Sequence, residues 1–200
     1  MIRFVHTLEE IAPGYEALFC DVWGVLHNGV AAFPEAVAAL RRYRAQGGMV
    51  VLLTNAPRPS PEIEAQLDRL GAPPDCRDLV VTSGDAAQSA LAAGDFGFRV
   101  HHVGPPRDVT FFTEMAPDIT PARPIERVPL REAEGIVCTG LFDDETETPD
   151  DYRALYLRGS SQGLKMLCAN PDLYVHRGGK RVWCAGALAR AYEELGGKVV

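Results

Sequence analysis

The sequence lacks the features that would mark a membrane protein or a nucleic-acid coat. Its longest apolar runs, such as Met49–Leu53, are far too short to span a bilayer. It has no excess of basic residues, since 20 Lys and Arg stand against 27 Asp and Glu and give a formal net charge of −7. Binding along a phosphate backbone needs clustered, unneutralised Lys and Arg. We therefore expect no membrane and no nucleic-acid partner.

The sequence also lacks a disulfide pattern and a leader. Its five cysteines are odd in number and widely scattered, and no pair has zinc-knuckle or thioredoxin spacing. The first ten residues contain acids early and no continuous apolar stretch, which predicts no signal peptide. These features predict a cytoplasmic protein. With 46% apolar and 24% charged residues over 200 positions, the chain can form one large domain or two small ones.

The first ninety residues alternate short apolar runs with amphipathic segments, which indicates an α/β fold with a parallel sheet. The run Met49–Leu53 is continuous rather than alternating, as expected of a parallel strand that is buried on both faces. Ser83 is the expected cap of the third helix. The predicted elements are strand 17–20, helix 34–46, strand 49–53, helix 60–70, strand 79–82 and a helix from residue 83 towards 94.

Beyond residue 94 the pattern is less regular and favours a second domain. Gly178-Gly179 is a two-residue hairpin signal between two short strands. We predict that residues 1–84 form the first part of a core, that 85–183 form an inserted domain, and that 184–200 return to the core. The elements predicted here are strands 99–103, 135–141 and 164–169, a helix from residue 149, hairpin strands 174–177 and 180–183, helix 185–195 and strand 197–200.

Polar residues follow two strands of the predicted core at the points where those strands end. Asp21 follows the first strand, and Thr54-Asn55 follows the second. Because ligands bind at the carboxyl ends of parallel strands, we expect a site there. Gly24 would let the backbone approach a ligand closely. Alone, each of these residues would be interpreted as a turn or a helix cap, but together they favour a site.

These residues resemble the motifs of a known superfamily. The ordered series resembles motifs I and II of the haloacid dehalogenase superfamily and the continuation of its class IIA branch, the NagD-like and p-nitrophenylphosphatase-like phosphatases. The segments that carry the resemblance are Leu18-Phe-Cys-Asp21-Val-Trp-Gly24-Val-Leu-His-Asn-Gly29, Phe33-Pro34, Leu52-Leu-Thr54-Asn55, Leu70-Gly71, Val81-Thr-Ser83, Val137–Gly140, Ala169-Asn-Pro-Asp172 and Ala185-Gly-Ala187. The resemblance implies a Rossmann-like core with an inserted α/β C2 cap.

The resemblance also implies a chemistry, a Mg²⁺-dependent hydrolysis of a small phosphorylated metabolite such as a sugar, nucleotide or cofactor phosphate. Asp21 would be the nucleophile that forms an aspartyl-phosphate. The metal would be held by the Asp21 carboxylate and the Trp23 backbone carbonyl.

The other implied roles concern phosphate and substrate. Thr54 and Asn55, with backbone amides near Trp23 and Gly24, would hold the phosphate oxygens. Arg58 would assist them as a positive group, or is a solvated loop arginine. Asn170 and Asp172 would face the substrate from the cap or shape a turn before the hairpin, and we favour the turn. Class IIA proteins often associate through their caps, so a homodimer is a further expectation.

One position departs from the superfamily pattern. The general acid/base aspartate that normally lies two residues after the nucleophile is replaced by Trp23, and indole cannot do proton transfer. His27 is the nearest titratable side chain that could substitute, although a loop histidine is expected on the surface. A catalytically impaired protein that only binds a phosphometabolite is therefore an alternative. A phosphotransferase or another hydrolase that needs no acid at this position is a third possibility.

The superfamily's motif III lysine and motif IV aspartate lie after the cap and have no counterpart in these 200 residues. Lys198 aligns with a Gly-Lys pair before that strand and not with the motif III lysine. The core is thus expected to be incomplete, with the strand that carries Asp21 at an exposed edge. We expect the chain to be part of a protein roughly 80–100 residues longer, which is about what two further strand–helix units and tails require.

Overall fold

The structure is a computed structural model that describes residues 4–177 and 179–200. Residues 1–3 lie outside the described residues, and they belong to the N-terminal segment in which no signal peptide is predicted. Gly178 of the predicted hairpin turn also lies outside them. The chain divides into two compact units. Residues up to 54 and 60–81 form the first unit, and residues 55–59 and 82–200 form the second.

The secondary structure alternates strands and helices over most of the chain, as predicted. Short 3₁₀ turns at Leu8–Glu10, Ala12–Gly14, Pro74–Cys76, Pro106–Val109, Leu130–Glu132 and Pro149–Tyr152 connect the longer elements. The strands and α-helices are β1 (Ala17–Asp21), α1 (Pro34–Ala45), β2 (Met49–Thr54), α2 (Ser60–Leu70), β3 (Leu79–Thr82), α3 (Ser83–Ala92), β4 (Arg99–Val103), α4 (Thr110–Thr113), β5 (Glu126–Arg127), β6 (Gly135–Cys138), α5 (Arg153–Ser161), β7 (Lys165–Cys168), β8 (Tyr174–Arg177), β9 (Lys180–Trp183), α6 (Ala185–Glu194) and β10 (Lys198–Val199).

The first unit contains a three-stranded sheet in the order β1-β2-β3. Strands β1 and β2 run parallel, with Asp21 opposite Leu53. Val50 and Leu52 of β2 are fully buried, whereas Phe19 of β1 is 66% exposed. This contrast follows from the strand order, because β2 lies between two strands whereas β1 has a neighbour on one side only. Strand β1 lies at the sheet edge, as predicted.

The second unit contains a five-stranded parallel sheet in the order β10-β7-β6-β4-β5. Every residue of its central strand β6 is buried, because apolar clusters cover both faces of the sheet. Helices α5 and α6 contribute to one cluster, which includes Tyr156 and Tyr192, and α3 contributes to the other through Leu91. Parallel sheets are stable in this doubly covered form. Strands β8 and β9 form the predicted antiparallel hairpin.

Two features of the second unit differ from the sequence prediction. Helix α6 packs in the same cluster as α5, and β10 pairs with β7, so residues 184–200 belong to the second unit and do not begin a return to the first. The cause is the apolar face of α6, whose Leu188 and Tyr192 are fully buried there. The cap of α3 is also one residue earlier than predicted, because the Thr82 hydroxyl accepts the hydrogen bond from the Asp85 amide.

The same local packing, of a tyrosine ring against a glycine, occurs at the end of one helix in each unit. Tyr43 in α1 and Tyr192 in α6 are each followed, five residues later, by a glycine whose missing Cβ leaves room for the tyrosine ring. A Cβ on Gly48 or on Gly197 would lie 2.3 Å from that ring. The glycine thus lets the chain turn tightly from the helix into the next strand.

Within residues 4–177 and 179–200 no helix is both long enough and apolar enough to cross a membrane.

Candidate functional site

In the first unit, Asp21 and Thr54 lie at the carboxyl ends of two neighbouring strands. Asp21 is the last residue of β1 and Thr54 is the last residue of β2. The parallel register places Asp21 beside Leu53, the residue before Thr54. Asp21 is exposed, and its Oδ1 accepts a hydrogen bond of 2.8 Å from the Val22 amide. Asp21 and Thr54 therefore end neighbouring strands on the side of the sheet where parallel sheets bind ligands.

Cys20 lies next to Asp21 in the chain and is the other potential nucleophile of this strand. Burial raises the pKa of its thiol, and the negative charge of Asp21 raises that pKa further. The thiol therefore stays protonated at neutral pH, and only the thiolate is a strong nucleophile. The exposed Asp21 carboxylate is therefore the better candidate nucleophile at this strand end.

The loop after β1 is a compact turn built on backbone hydrogen bonds. Gly24 has a φ of +78°, and its amide donates to the His27 carbonyl at 2.8 Å. The Val22 carbonyl accepts from the Leu26 amide at 2.9 Å, and the Leu26 side chain is fully buried. Because a positive φ is strained for residues with a Cβ, glycine suits this position. The loop is thereby fixed immediately beyond the carboxylate of Asp21.

Trp23 is packed into this loop rather than extended into solvent. Its ring meets the His27 ring edge-on, with centroids 5.3 Å apart. It also covers Gly29, where a Cβ would lie 2.7 Å from the indole. The indole thus occupies a defined place two residues after Asp21, at the position where the superfamily pattern has an acid/base aspartate.

The expectation that His27 lies on the surface is wrong. Its side chain is 3% exposed, and Nδ1 accepts a hydrogen bond of 2.9 Å from the Gly29 amide. An Nδ1 that accepts from an amide carries no proton, so the ring proton is on Nε2. The interior position follows from the tight turn between Gly24 and Gly29, which folds the loop over the ring. The burial of His27 makes it a poor substitute for an exposed acid/base.

The second unit holds the remaining predicted site residues. The Asn55 side-chain amide donates through Nδ2 to Oδ1 of Asp172 at 3.0 Å. The Asp172 amide in turn donates to Oδ1 of Asn170 at 2.9 Å. The second of these bonds closes a turn before the hairpin, and Asp172 also pairs with Asn55, which the sequence did not indicate.

Two glycines let residues 55–58 and 170–172 pack closely against the first turns of helices α3 and α6. The Gly84 amide in α3 donates to the Ala56 carbonyl at 3.0 Å, and the Gly186 amide in α6 donates to the Asp172 carbonyl at 3.1 Å. A Cβ on Gly84 would lie 2.4 Å from the carbonyl oxygen of Arg58. The first amides of a helix have no partner within the helix, so these carbonyls satisfy them. Arg58 is half-buried, and its backbone carbonyl packs against Gly84.

Replacing Gly84 with alanine is expected to destabilise the second unit. The added methyl group would lie within van der Waals overlap of the Arg58 carbonyl, and overpacking of this kind costs about 1–3 kcal/mol. Urea unfolding should therefore show a lower midpoint for Gly84→Ala. Gly14→Ala is the matched control, because no atom lies within 4 Å of a Cβ at that position. Equal midpoints for the two variants would show that the close approach at Gly84 is not required.

A metal ion bound beside Asp21, at the end of β1, would have few protein ligands. The described residues contain no group of three or more His, Cys, Asp or Glu side chains arranged to hold a metal ion. The predicted donors are the exposed Asp21 carboxylate and the Trp23 carbonyl, both oxygen ligands. Mg²⁺ prefers oxygen, and it usually keeps several waters while binding one or two carboxylates and a substrate phosphate. The donor chemistry is thus compatible with Mg²⁺.

The sheet is parallel and Rossmann-like, and a carboxylate lies at the end of its first strand. These features indicate an α/β protein with a ligand site at the strand ends. The sequence profile of the haloacid dehalogenase-like hydrolases matches residues 18–116. A haloacid dehalogenase-like hydrolase from Brucella suis 1330 is 46% identical, with a TM-score of 0.90, and the match covers 98% of this chain and 69% of that chain. A comparison with curated proteins finds no significant match.

Two more distant structures share the fold. A p-nitrophenyl phosphatase from Archaeoglobus fulgidus is 18% identical with a TM-score of 0.69, and the match covers 93% of this chain and 68% of that chain. A glycerol phosphate phosphatase from Mycobacterium tuberculosis, in complex with magnesium, is 23% identical with a TM-score of 0.65 over 94% of this chain and 55% of that chain.

This chain belongs to the haloacid dehalogenase-like hydrolases, as the series of motifs predicted.

Proposed function

We propose that this hydrolase is a Mg²⁺-dependent phosphatase that acts on a small phosphorylated metabolite through an aspartyl-phosphate on Asp21. The observation that carries the proposal is the exposed Asp21 carboxylate at the end of β1, beside the end of β2 where Thr54 lies. We assign substrate selection to the second unit, which corresponds to the C2 cap of class IIA proteins.

The proposed reaction has two displacements on phosphorus. In the first, an Asp21 carboxylate oxygen attacks phosphorus, and the bond between phosphorus and the ester oxygen breaks. The ester oxygen leaves with the electron pair. In the second displacement, water attacks the phosphorus of the aspartyl-phosphate, which releases inorganic phosphate and a proton and restores the carboxylate. Thr54 and Asn55 hold the non-bridging oxygens, and Arg58 supplies a positive charge.

The metal has a defined role in this proposal. The Asp21 carboxylate and the Trp23 carbonyl would hold Mg²⁺, which would supply positive charge that offsets the negative charge of the phosphate. The tryptophan does not interfere with this role, because the donor at position 23 is a backbone oxygen that every residue has. Similar structures support both halves of the proposal, since two are named as phosphatases and one of these is in complex with magnesium.

Trp23 favours a second candidate function. The indole, which packs against His27 and Gly29, neither releases nor takes up a proton near neutral pH, so it offers no acid for the leaving group and no base for the water. A protein that retains phosphate binding without turnover is consistent with that substitution. Esters with a good leaving group separate the two functions, since they need no acid in the first displacement.

The test is a Mg²⁺-dependent assay of the natural gene product with p-nitrophenyl phosphate and a panel of sugar, nucleotide and cofactor phosphates. We expect phosphate release from p-nitrophenyl phosphate that EDTA abolishes and added Mg²⁺ restores. Turnover that is unaffected by EDTA would contradict the metal requirement. A protein that binds phosphate with Mg²⁺ and releases none from any ester would establish the binding function instead.

A further inference from the structure

A hydrogen bond joins two turns of the second unit that lie far apart in the sequence. Asn55 and Asp172 are separated by 117 residues, and the bond runs from Asn55 Nδ2 to Asp172 Oδ1 at 3.0 Å. An ionised carboxylate can only accept hydrogen bonds, so it defines which end of the amide faces it. The Asn55 amide therefore has its nitrogen towards Asp172.

Both the backbone amide and the backbone carbonyl of Asp172 make hydrogen bonds. Its amide donates to Asn170 Oδ1 at 2.9 Å, and its carbonyl accepts from the Gly186 amide at 3.1 Å. Gly186 has no Cβ, and a Cβ there would lie 2.6 Å from the Asp172 carbonyl oxygen. The turn is thus seated on the first residues of α6, a helix whose start is buried. The carboxylate is presented from a fixed backbone.

Asn55 needs such a partner because its side chain is exposed. An exposed asparagine samples several rotamers, and fixing one of them on ligand binding reduces affinity. A charge-assisted hydrogen bond to an anchored carboxylate fixes the side chain beforehand. Nδ2 has a second hydrogen, which stays available for another acceptor.

We propose that Asp172 is a positioning residue that orients the Asn55 amide for binding phosphate. The inference rests on the phosphate-binding role proposed above for Asn55. Asp172 does not itself contact the substrate in this scheme, since a carboxylate would repel a phosphate. Its effect passes through Asn55, which distinguishes it from a substrate-contacting residue and from a residue that only shapes a turn.

The test measures the affinity of the natural gene product for inorganic phosphate, with Mg²⁺ present, by titration calorimetry. Asp172→Ala should weaken phosphate binding about tenfold, the effect expected for losing one hydrogen bond to a charged group. Asp172→Asn retains an acceptor oxygen at the same place and should stay within about threefold of wild type. In the Asn55→Ala background, Asp172→Ala should cause no further loss, because the two residues act through one contact.

The controls separate this role from its rivals. Asp118→Ala removes another exposed carboxylate of the same unit and should leave phosphate affinity unchanged. If Asp172→Ala lowers the unfolding midpoint but leaves phosphate affinity unchanged, Asp172 only shapes the turn and the inference is wrong. Additive losses in the double variant would also overturn it. Phosphate binding does not require turnover, so a failure of the phosphatase proposal would leave this test intact.

Discussion

Asp21→Asn is expected to abolish turnover of p-nitrophenyl phosphate, with a fall of at least about 10³-fold in kcat. An asparagine amide is a far weaker nucleophile than a carboxylate, so the first displacement cannot proceed. The substitution should not disturb the fold, because the Asn oxygen can still accept the hydrogen bond that Asp21 accepts from the Val22 amide. Steady-state kinetics and the thermal unfolding midpoint, measured on the same preparations, test both halves of this expectation.

Asp75→Asn provides the matched control for Asp21→Asn. Asp75 is exposed in the same unit and pairs with Arg41 at 2.7 Å, a surface contact of small energetic effect. Its substitution should leave kcat unchanged. Residual turnover above a tenth of the wild-type value in Asp21→Asn, with the fold intact, would contradict the role of Asp21 as nucleophile.

Trp23→Asp is expected to raise turnover of alkyl phosphates by roughly 10²–10⁴-fold, which is the usual contribution of a positioned acid/base. Alkyl phosphates have a poor leaving group and depend most on protonation, so the gain should be smaller with p-nitrophenyl phosphate. The variant should also be less stable than wild type, because it loses the packing of the indole against His27 and over Gly29. Kinetics on glycerol phosphate and on p-nitrophenyl phosphate, compared side by side, provide the measurement.

Trp23→Asn is the control that isolates the proton. It removes the indole and has nearly the size of aspartate, but it cannot act as an acid or a base. We expect no gain in turnover from it and a similar loss of stability. Equal rates for the Asp and Asn variants would show that position 23 is not where this protein could use an acid/base.

The sequence was informative where a local pattern determines the structure. The apolar runs of β1 and β2 end at Asp21 and Thr54, which is enough to place both residues at the carboxyl ends of neighbouring strands, and the structure confirms that placement. The Gly-Gly hairpin signal was enough for β8 and β9. In each case the signal and the structure it specifies lie within a few residues of each other.

What the sequence could not show depends on contacts between distant residues. Nothing local indicates that Asn55 donates to Asp172. The burial of His27 depends on how a glycine-rich loop folds over one ring. Strand β10 was recognised as a strand, but only the pairing with β7 shows that it belongs to the second sheet.

The most direct test of the proposed chemistry is the intact mass of the natural gene product, quenched in acid during turnover of p-nitrophenyl phosphate with Mg²⁺. Because Trp23 cannot activate water, the second displacement should be the slow one, and a large share of the protein should carry one phosphoryl group that peptide mapping places on Asp21. Trp23→Asp should carry much less of it. Phosphate release by a protein that never carries a phosphoryl group on Asp21 would contradict the account.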